Sequence, residues 1–335
     1  MTDRHTPSPD DIRPPLSERE AIENCIRSAT TAPSLHNSQP WLFRIGAGVI
    51  DVYADRRRQL EVLDPTGREL LISVGAAVST LALALRGAGY RADVVAFPDD
   101  GQPDLVARVT VGHRAPPSPA EETLVAAIPH RHTNRYPFTS CAIPAETLEQ
   151  LIDAARQETA VLTVANPVSR NSIIGLSQAA DRRQRATGGY RAELARWTTH
   201  RVVHHDGIPP SAIGPWDAME IMPIRDFGLL QPHLTRAPET FEIHPTLMVL
   251  ATTGDDPLEW VRAGQALQRV LLTATHLNLA TTPISQPVEV PTVRRQLSDT
   301  ANGIWAQMIL RIGYGRPAAT TPRRPLSDVL LPSLT

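Results

Sequence analysis

Two stretches far apart in the chain repeat one another, and no other feature restricts the possible folds as strongly. Gly75-Ala-Ala-Val-Ser-Thr-Leu-Ala-Leu-Ala-Leu aligns without gaps to Gly264-Gln-Ala-Leu-Gln-Arg-Val-Leu-Leu-Thr-Ala, and Ala107-Arg-Val-Thr-Val-Gly112 aligns to Leu310-Arg-Ile-Gly-Tyr-Gly315. Apolar helices resemble one another for trivial reasons, but a matched order of helix, strand and terminal glycine adds weight to the match. The order implies two related halves of one α+β body, in effect a dimer fused into one chain. At 335 residues the chain has interior enough for such a body without disulfides or metals.

Local patterns divide the halves. Residues 1–16 read as a disordered leader. Ser17-Glu-Arg-Glu20 is a capping box, and Ile22, Cys25, Ile26 and Ala29 follow at one-face spacing, which predicts a helix over 17–30. Leu42–Ile45 and Val49–Tyr53 alternate as a hairpin around Gly46 and Gly48. Leu70–Arg86 is apolar nearly all round and predicts a buried helix, followed by strands at Ala92–Ala96 and Leu105–Val111. The first half thus covers 17–114, with 115–129 read as a Pro-rich linker and 130–335 as the second half, which has a helix at 145–156. Inside it, Pro167–Gly207 is arginine-rich and helical, and Pro209–Pro238 is Pro-rich with little periodicity. Together 167–238 read as a lid-like insertion.

The formal charge of −2 gives no whole-chain case for nucleic acid or an anionic membrane as partner. Cys25 and Cys141 lack CxxC or metal-ligand spacing and suit a reducing compartment. The N-terminus lacks the apolar core of a signal peptide, and the uncharged stretch Leu70–Leu85 is too short to span a bilayer, so a cytoplasmic protein is expected.

Chemistry concentrates in a nine-residue loop, Pro33-Ser-Leu-His-Asn-Ser-Gln-Pro-Trp41. Its prolines fix the backbone, Ser34, Asn37 and Gln39 offer closely spaced donors and acceptors, and Trp41 adds a rigid apolar face, a set suited to a flat ring edged with carbonyls and ring nitrogens. Read from composition alone, the same loop is more readily a Pro-rich connection whose Trp anchors it to the core. Arg131-His-Thr-Asn-Arg135 and Pro322-Arg-Arg-Pro325 carry guanidinium groups able to grip a phosphate in bidentate fashion. No GxGxxG, Walker loop, GxSxG elbow or HExxH is present, which weakens dinucleotide-fold and hydrolase readings. His200 and His204 have the spacing of metal ligands, with His205 adjacent, but no carboxylate or third ligand follows at regular spacing, so no metal site is expected.

Taken together, A-P-S-L-H-N-S-Q-P-W, R-H-T-N-R, the G-Q-A-L-Q-R-V-L-L helix, and R-I-G-Y-G with P-R-R-P-L-S-D-V resemble the nitroreductase superfamily of FMN-dependent flavoproteins. More closely they resemble its Acg-like branch, in which both halves of the usual homodimer occupy one chain. The resemblance implies that Arg131, Thr133, Arg135 and Arg323 hold the FMN phosphate and ribityl from the second half, with Arg324 a weaker candidate. It implies that Ser34, Asn37, Gln39, Pro40, Trp41, Leu42 and Phe43 reach the flavin from the first. Where the family commonly has Pro-Ile-Glu-Gly beside the redox-active ring, this chain has Pro283-Ile-Ser-Gln286. The backbone N–H near Ser285 can still serve the flavin, while bulk at Gln286 and the insertion could close the site. The implied function is an NAD(P)H-dependent nitroreductase or quinone reductase. On this reading it is monomeric, with one complete site, a planar small-molecule acceptor and no catalytic side chain. The rival is a protein that sequesters FMN under a closed lid.

Overall fold

The computed structural model describes residues 17–198, 205–231 and 234–332, so the leader at 1–16 and the histidines His200 and His204 lie outside the described residues. Helix α1 (Glu18–Ala29) starts at the reciprocal Ser17–Glu20 capping box and buries Ile22, Cys25, Ile26 and Ala29. It leads into the antiparallel hairpin of β1 (Trp41–Ile45) and β2 (Val49–Ala54), whose turn has Gly48 at φ +70°. Helix α2 (Arg68–Gly87), β3 (Tyr90–Ala96) and β4 (Leu105–Arg114) complete a sheet of order β1-β2-β4-β3.

Residues 115–129, read as a linker, contain helix α3 (Pro119–Ala127), begun by a second capping box between Ser118 and Glu121. Its Leu124 and Ala127 fill a gap against Leu83 and Leu272. The second body then repeats the first. Helix α4 (Ala145–Arg156) and β5 (Val161–Val164) are followed by α5 (Pro167–Ala186), α6 (Tyr190–Arg196) and the two-residue pair β6 (Trp216–Asp217) and β7 (Pro238–Glu239). Next come β8 (Thr246–Thr252), α7 (Pro257–His276), β9 (Ala280–Ile284), α8 (Gln286–Glu289), α9 (Pro291–Leu297), β10 (Trp305–Gly313) and α10 (Leu326–Val329). The second sheet has the order β5-β8-β10-β9. With α5–β7 and the α8–α9 segment between β9 and β10 set aside as insertions, α4-β5-β8-α7-β9-β10 matches α1-β1-β2-α2-β3-β4 in order, and equivalent strands hold equivalent places.

The halves join through α2 and α7, and the joint is reciprocal. A Cβ on Gly75 would lie 2.2 Å from the Val261 carbonyl oxygen, and one on Gly264 would lie 2.0 Å from that of Ile72. In the alignment above, Gly75 corresponds to Gly264 and Ile72 to Val261, so each contact is the other's mate, as at an isologous dimer interface. Each helix also lends a side chain across: Val261 packs in the first half's core and Ile72 in the second's. Gln268 donates to the Thr80 hydroxyl at 2.9 Å inside this seam.

Helix α2 is 20 residues long and, by length and composition alone, apolar enough to cross a membrane, although its uncharged stretch is the shorter Leu70–Leu85. Its most apolar window is 83% buried, packed against the first sheet and α7. The insertion has a core of its own, in which Tyr190, Leu194, Trp197, Ile208, Ile213 and Phe227 close over Leu60 and Leu63 of the first half. The C-terminal tail crosses back as well: Val329 enters the first core, and Leu331 N–H donates to the Phe43 carbonyl at 2.7 Å.

Candidate functional site

A cleft of about 970 Å³, part of it open to solvent, lies where the two halves and the insertion meet. The first half supplies Pro33–Asn37 with Glu69, Ile72 and Ser73. The second supplies the 131–135 segment, Leu267, Pro283, Ser285, Gln286, Met308, Thr321 and Arg323, and the insertion roofs it with Ile208, Ile224, Arg225 and Phe227.

The loop at 33–41 is wound tightly, with His36, Asn37 and Gln39 all in the left-handed region (φ 51°, 55° and 50°). The Ser34 hydroxyl accepts from Gln39 N–H at 3.0 Å, and the Ser73 hydroxyl accepts from Leu35 N–H at 3.3 Å, which ties the curl to α2. Ser34 and Asn37 lie on the cleft wall as expected. Asn37 nevertheless spends its amide on protein: Nδ2 donates to the Gly207 and Pro322 carbonyls and Oδ1 accepts from Arg323, all at 3.0 Å. Such bonding makes Asn37 the clamp that binds insertion, tail and loop together.

Gln39, Pro40, Trp41, Leu42 and Phe43 are not on the cleft wall, a correction to the site expected from sequence. Gln39 is fully buried behind it, donating to the His205 carbonyl and accepting from Arg324 N–H, both at 2.8 Å. Pro40 is buried, and its carbonyl accepts from Asp55 N–H. Trp41 and Phe43 share the inward face of β1 and are fully buried in the first half's core, while Leu42 points to the opposite face, across from Tyr53. The weaker candidate Arg324 is spent on Gln39 and Asp328 carbonyls.

The basic residues converge as expected. The 131–135 segment runs beside β9, with a bridge between Thr133 and Thr281 and with Asn134 turned away to the Arg316 carbonyl. Arg131, Thr133 and Arg135 therefore face the cleft. Arg131 and Arg323 both donate to the Thr31 carbonyl, at 3.0 and 3.1 Å, although they arrive from segments nearly 200 residues apart. Arg135 donates to the Ala212 carbonyl and lies over the Phe227 ring. Among the described residues, none of the three has a carboxylate partner. Burial, with Arg323 nearby, pushes Arg131 down to about 9; burial pushes Arg323 to about 10, and burial with Arg225 nearby does the same to Arg135. All three stay charged at neutral pH, and the Nε atoms of Arg131 and Arg323 are buried without an acceptor among the described residues. Desolvated positive charge without a counter-charge is costly, and an anionic guest would relieve it.

His36 is the other unsatisfied group on this wall. It is 4% exposed, packs edge-on against Phe227 at 4.9 Å, and neither ring nitrogen has a partner among the described residues. Burial, then Arg225 and Arg135, hold its pKa well below 6.5. The unfolded chain therefore binds a proton below pH 6.5 that the folded chain refuses, and stability falls as pH drops through that value. The slope approaches about 1.4 kcal/mol per pH unit from this one group. In His36→Asn the urea midpoint should lose less than the parent's between about pH 7 and about pH 5.

Ser285 caps α8, with its carbonyl accepting from Val288 and Glu289 N–H. Beside it Gln286 is buried and donates from Nε2 to the Pro223 carbonyl at 3.1 Å, a direct strut to the insertion. Arg225 is held by both carboxylate oxygens of Glu289, at 2.7 and 2.5 Å, and by the Tyr190 hydroxyl. Sequence reasoning missed His36, Glu69, Arg225 and Phe227. Arg225 and Phe227 fall in the Pro-rich stretch without periodicity, and Glu69 reads as an ordinary acidic residue at the start of a helix.

The fold and site define an α+β protein of two equivalent halves with a cationic cleft at their seam. Residues 128–314 match the model described as "Nitroreductase family". Two Mycobacterium tuberculosis proteins of similar length carry the name "Putative NAD(P)H nitroreductase". One is 31% identical over 322 residues, covering 93% of this chain and 92% of that protein. The other, acg, is 28% identical over 324 residues, covering 92% and 95%. This chain belongs to the nitroreductase family. Among solved structures, an FMN-bound nitroreductase from Bacteroides fragilis overlaps 60% of this chain and 93% of its own, at 16% identity and a TM-score of 0.36. An NADPH:FMN oxidoreductase from Vibrio harveyi, complexed with NAD+, overlaps 64% and 78% at 13% identity and a TM-score of 0.38.

Proposed function

We propose that the chain binds one FMN in the seam cleft and acts as an NAD(P)H-dependent nitroreductase or quinone reductase. The observation that carries this reading is the set of three guanidinium groups, Arg131, Arg135 and Arg323, that line one cleft without a carboxylate partner among the described residues. The residues present fit a phosphate monoester bearing a polar chain and a flat ring. Arg131 and Arg323 would take the phosphate in charge-assisted bonds, with Thr133 and Arg135 toward the ribityl chain. Leu35, Ile72, Leu267 and Met308 supply apolar wall that excludes water. Ser34 and the Ser285 backbone would meet ring edges. FMN, when bound, supplies hydride and electron transfer. The chain is read as a monomer, because each half already has its partner.

Titration with FMN should saturate at one equivalent per chain and give a yellow protein. Anaerobic mixing with excess NADPH or NADH should bleach it within seconds. An unchanged spectrum over many minutes would instead favour FMN sequestration, which the Gln286 strut and the Arg225–Glu289 pair also support because both fasten the insertion over the cleft. A colourless protein that takes up no FMN would overturn both. Gln286→Gly removes the strut, so bound flavin should exchange faster with free flavin in the variant than in the parent, as read by fluorescence release.

A further inference from the structure

Beneath the cleft runs a buried ionic network that flavin binding does not explain. Glu69 is 2% exposed and lies on the cleft wall, which Ser285 and Gln286 also line from the second half. Its Oε1 accepts from Arg68 at 2.7 Å, and Arg68 is otherwise spent on the Gln307 side chain and carbonyl and on the Val288 carbonyl. Around this pair stand Asp64 from the loop before α2, Glu289 from α8, Arg225 and Tyr190 from the insertion, and the Arg294–Asp255 ion pair. Glu193 from α6 is held by the Val62 and Leu63 N–H groups, and His36 faces Arg225 from the loop.

Charge does not balance among these groups with every acid ionised. Asp64, Glu69, Glu193, Glu289 and Asp255 outnumber Arg68, Arg225, Arg294 and, beside Arg225, Arg135. Glu289 and Asp255 each hold an arginine through both oxygens, and Asp64 takes a free N–H of the α2 terminus, from Leu70, at 2.8 Å. Among the described residues, Glu69 is left with a single shared donor. Burial, with Glu289 and Asp64 nearby, raises it well above the usual carboxylate range.

We propose that Glu69 is a catalytic residue: a protonated carboxylic acid on the cleft wall that gives its proton to the oxygen of a quinone or nitro acceptor as that acceptor is reduced. The assignment rests on the reductase reading above. A reduced nicotinamide would be the reductant, FMN when bound would supply the hydride transfer, and the acceptor would gain one hydride together with one proton. The O–H bond of Glu69 breaks as an O–H bond forms on the acceptor. The carboxylate left behind sits beside Arg68 and Arg225 until water returns the proton.

The test is Glu69→Gln, which keeps the shape and an acceptor for Arg68, with Glu69→Asp as the conservative variant. Infrared spectra of the full chain at neutral pH should show a protonated-carboxyl band that shifts in deuterated water and is missing from Glu69→Gln. In stopped flow, reoxidation of the reduced holoprotein by a quinone should slow roughly a hundredfold in Glu69→Gln, far more than its reduction by NAD(P)H slows, with partial rescue in Glu69→Asp. Absence of the band, or reoxidation at the parent rate, overturns the proposal. Failure to take up FMN sinks the reductase reading instead, and the infrared result still reports on Glu69.

Discussion

Arg323→Ala should weaken FMN binding by about 1.5–3 kcal/mol, the worth of hydrogen bonds to a charged group, or roughly ten- to a hundredfold in Kd. Its guanidinium is placed by the Asn37 side chain, by the Thr321 hydroxyl and by the Thr31 carbonyl that it shares with Arg131. Loss of one of the two cations that meet at Thr31 should also relax Arg131, whose pKa is lowered in part by Arg323. Arg183→Ala is the matched control: that side chain is exposed on α5, reaches Thr292 alone among the described residues, and should leave Kd unchanged. Fluorescence quenching of free FMN measures both. Equal losses in the two variants would remove the phosphate from the position proposed.

Gly264→Ala should destabilise the chain by about 3 kcal/mol, the upper part of the range for overpacking a closed contact. The added methyl would lie 2.0 Å from the Ile72 carbonyl oxygen and 2.9 Å from Ala76 N, backbone atoms of a buried helix that cannot swing aside. Gly75→Ala strikes the mate of that contact at 2.2 Å from the Val261 carbonyl and should cost a similar amount. The sign reverses at Gly175, exposed in α5, where an added methyl would have no atom within 4 Å and alanine should gain about 0.5–1 kcal/mol from helix propensity. Thermal melts of the three variants check the pattern. A Gly264→Ala protein that melts with the parent would mean that the two helices do not approach as closely as the fold requires.

Part of the site was legible because its signals are local. The capping box at Ser17, the period-two hairpin after Trp41 and the apolar run at Leu70–Arg86 each determine a conformation within a few residues. The basic clusters were legible for a related reason, since guanidinium pairs announce phosphate chemistry whatever surrounds them. Trp41 shows where such reading stops. An indole is equally good against a ligand and in a core, and the choice falls to the face of β1 on which residue 41 lies. Gln39 likewise has the amide of a ligand contact, but its Nε2 donates to the His205 carbonyl and its Oε1 accepts from Arg324 N–H, neighbours that only the folded chain supplies.

The sequence by itself determined α1, the β1–β2 hairpin, α2, β3, β4 and α4, the repeat of helix and strand that marks two halves, and the presence of an aromatic, amide-rich loop and two cationic segments, because those depend on neighbours along the chain. Only the tertiary structure decided that Arg131 and Arg323 meet at one carbonyl, that Gln286 braces the insertion, and that Glu69 sits among more carboxyl groups than arginines. Charge balance and desolvation are properties of what lies within a few ångströms in space, and residues that distant in sequence become neighbours only when the halves close on α2 and α7.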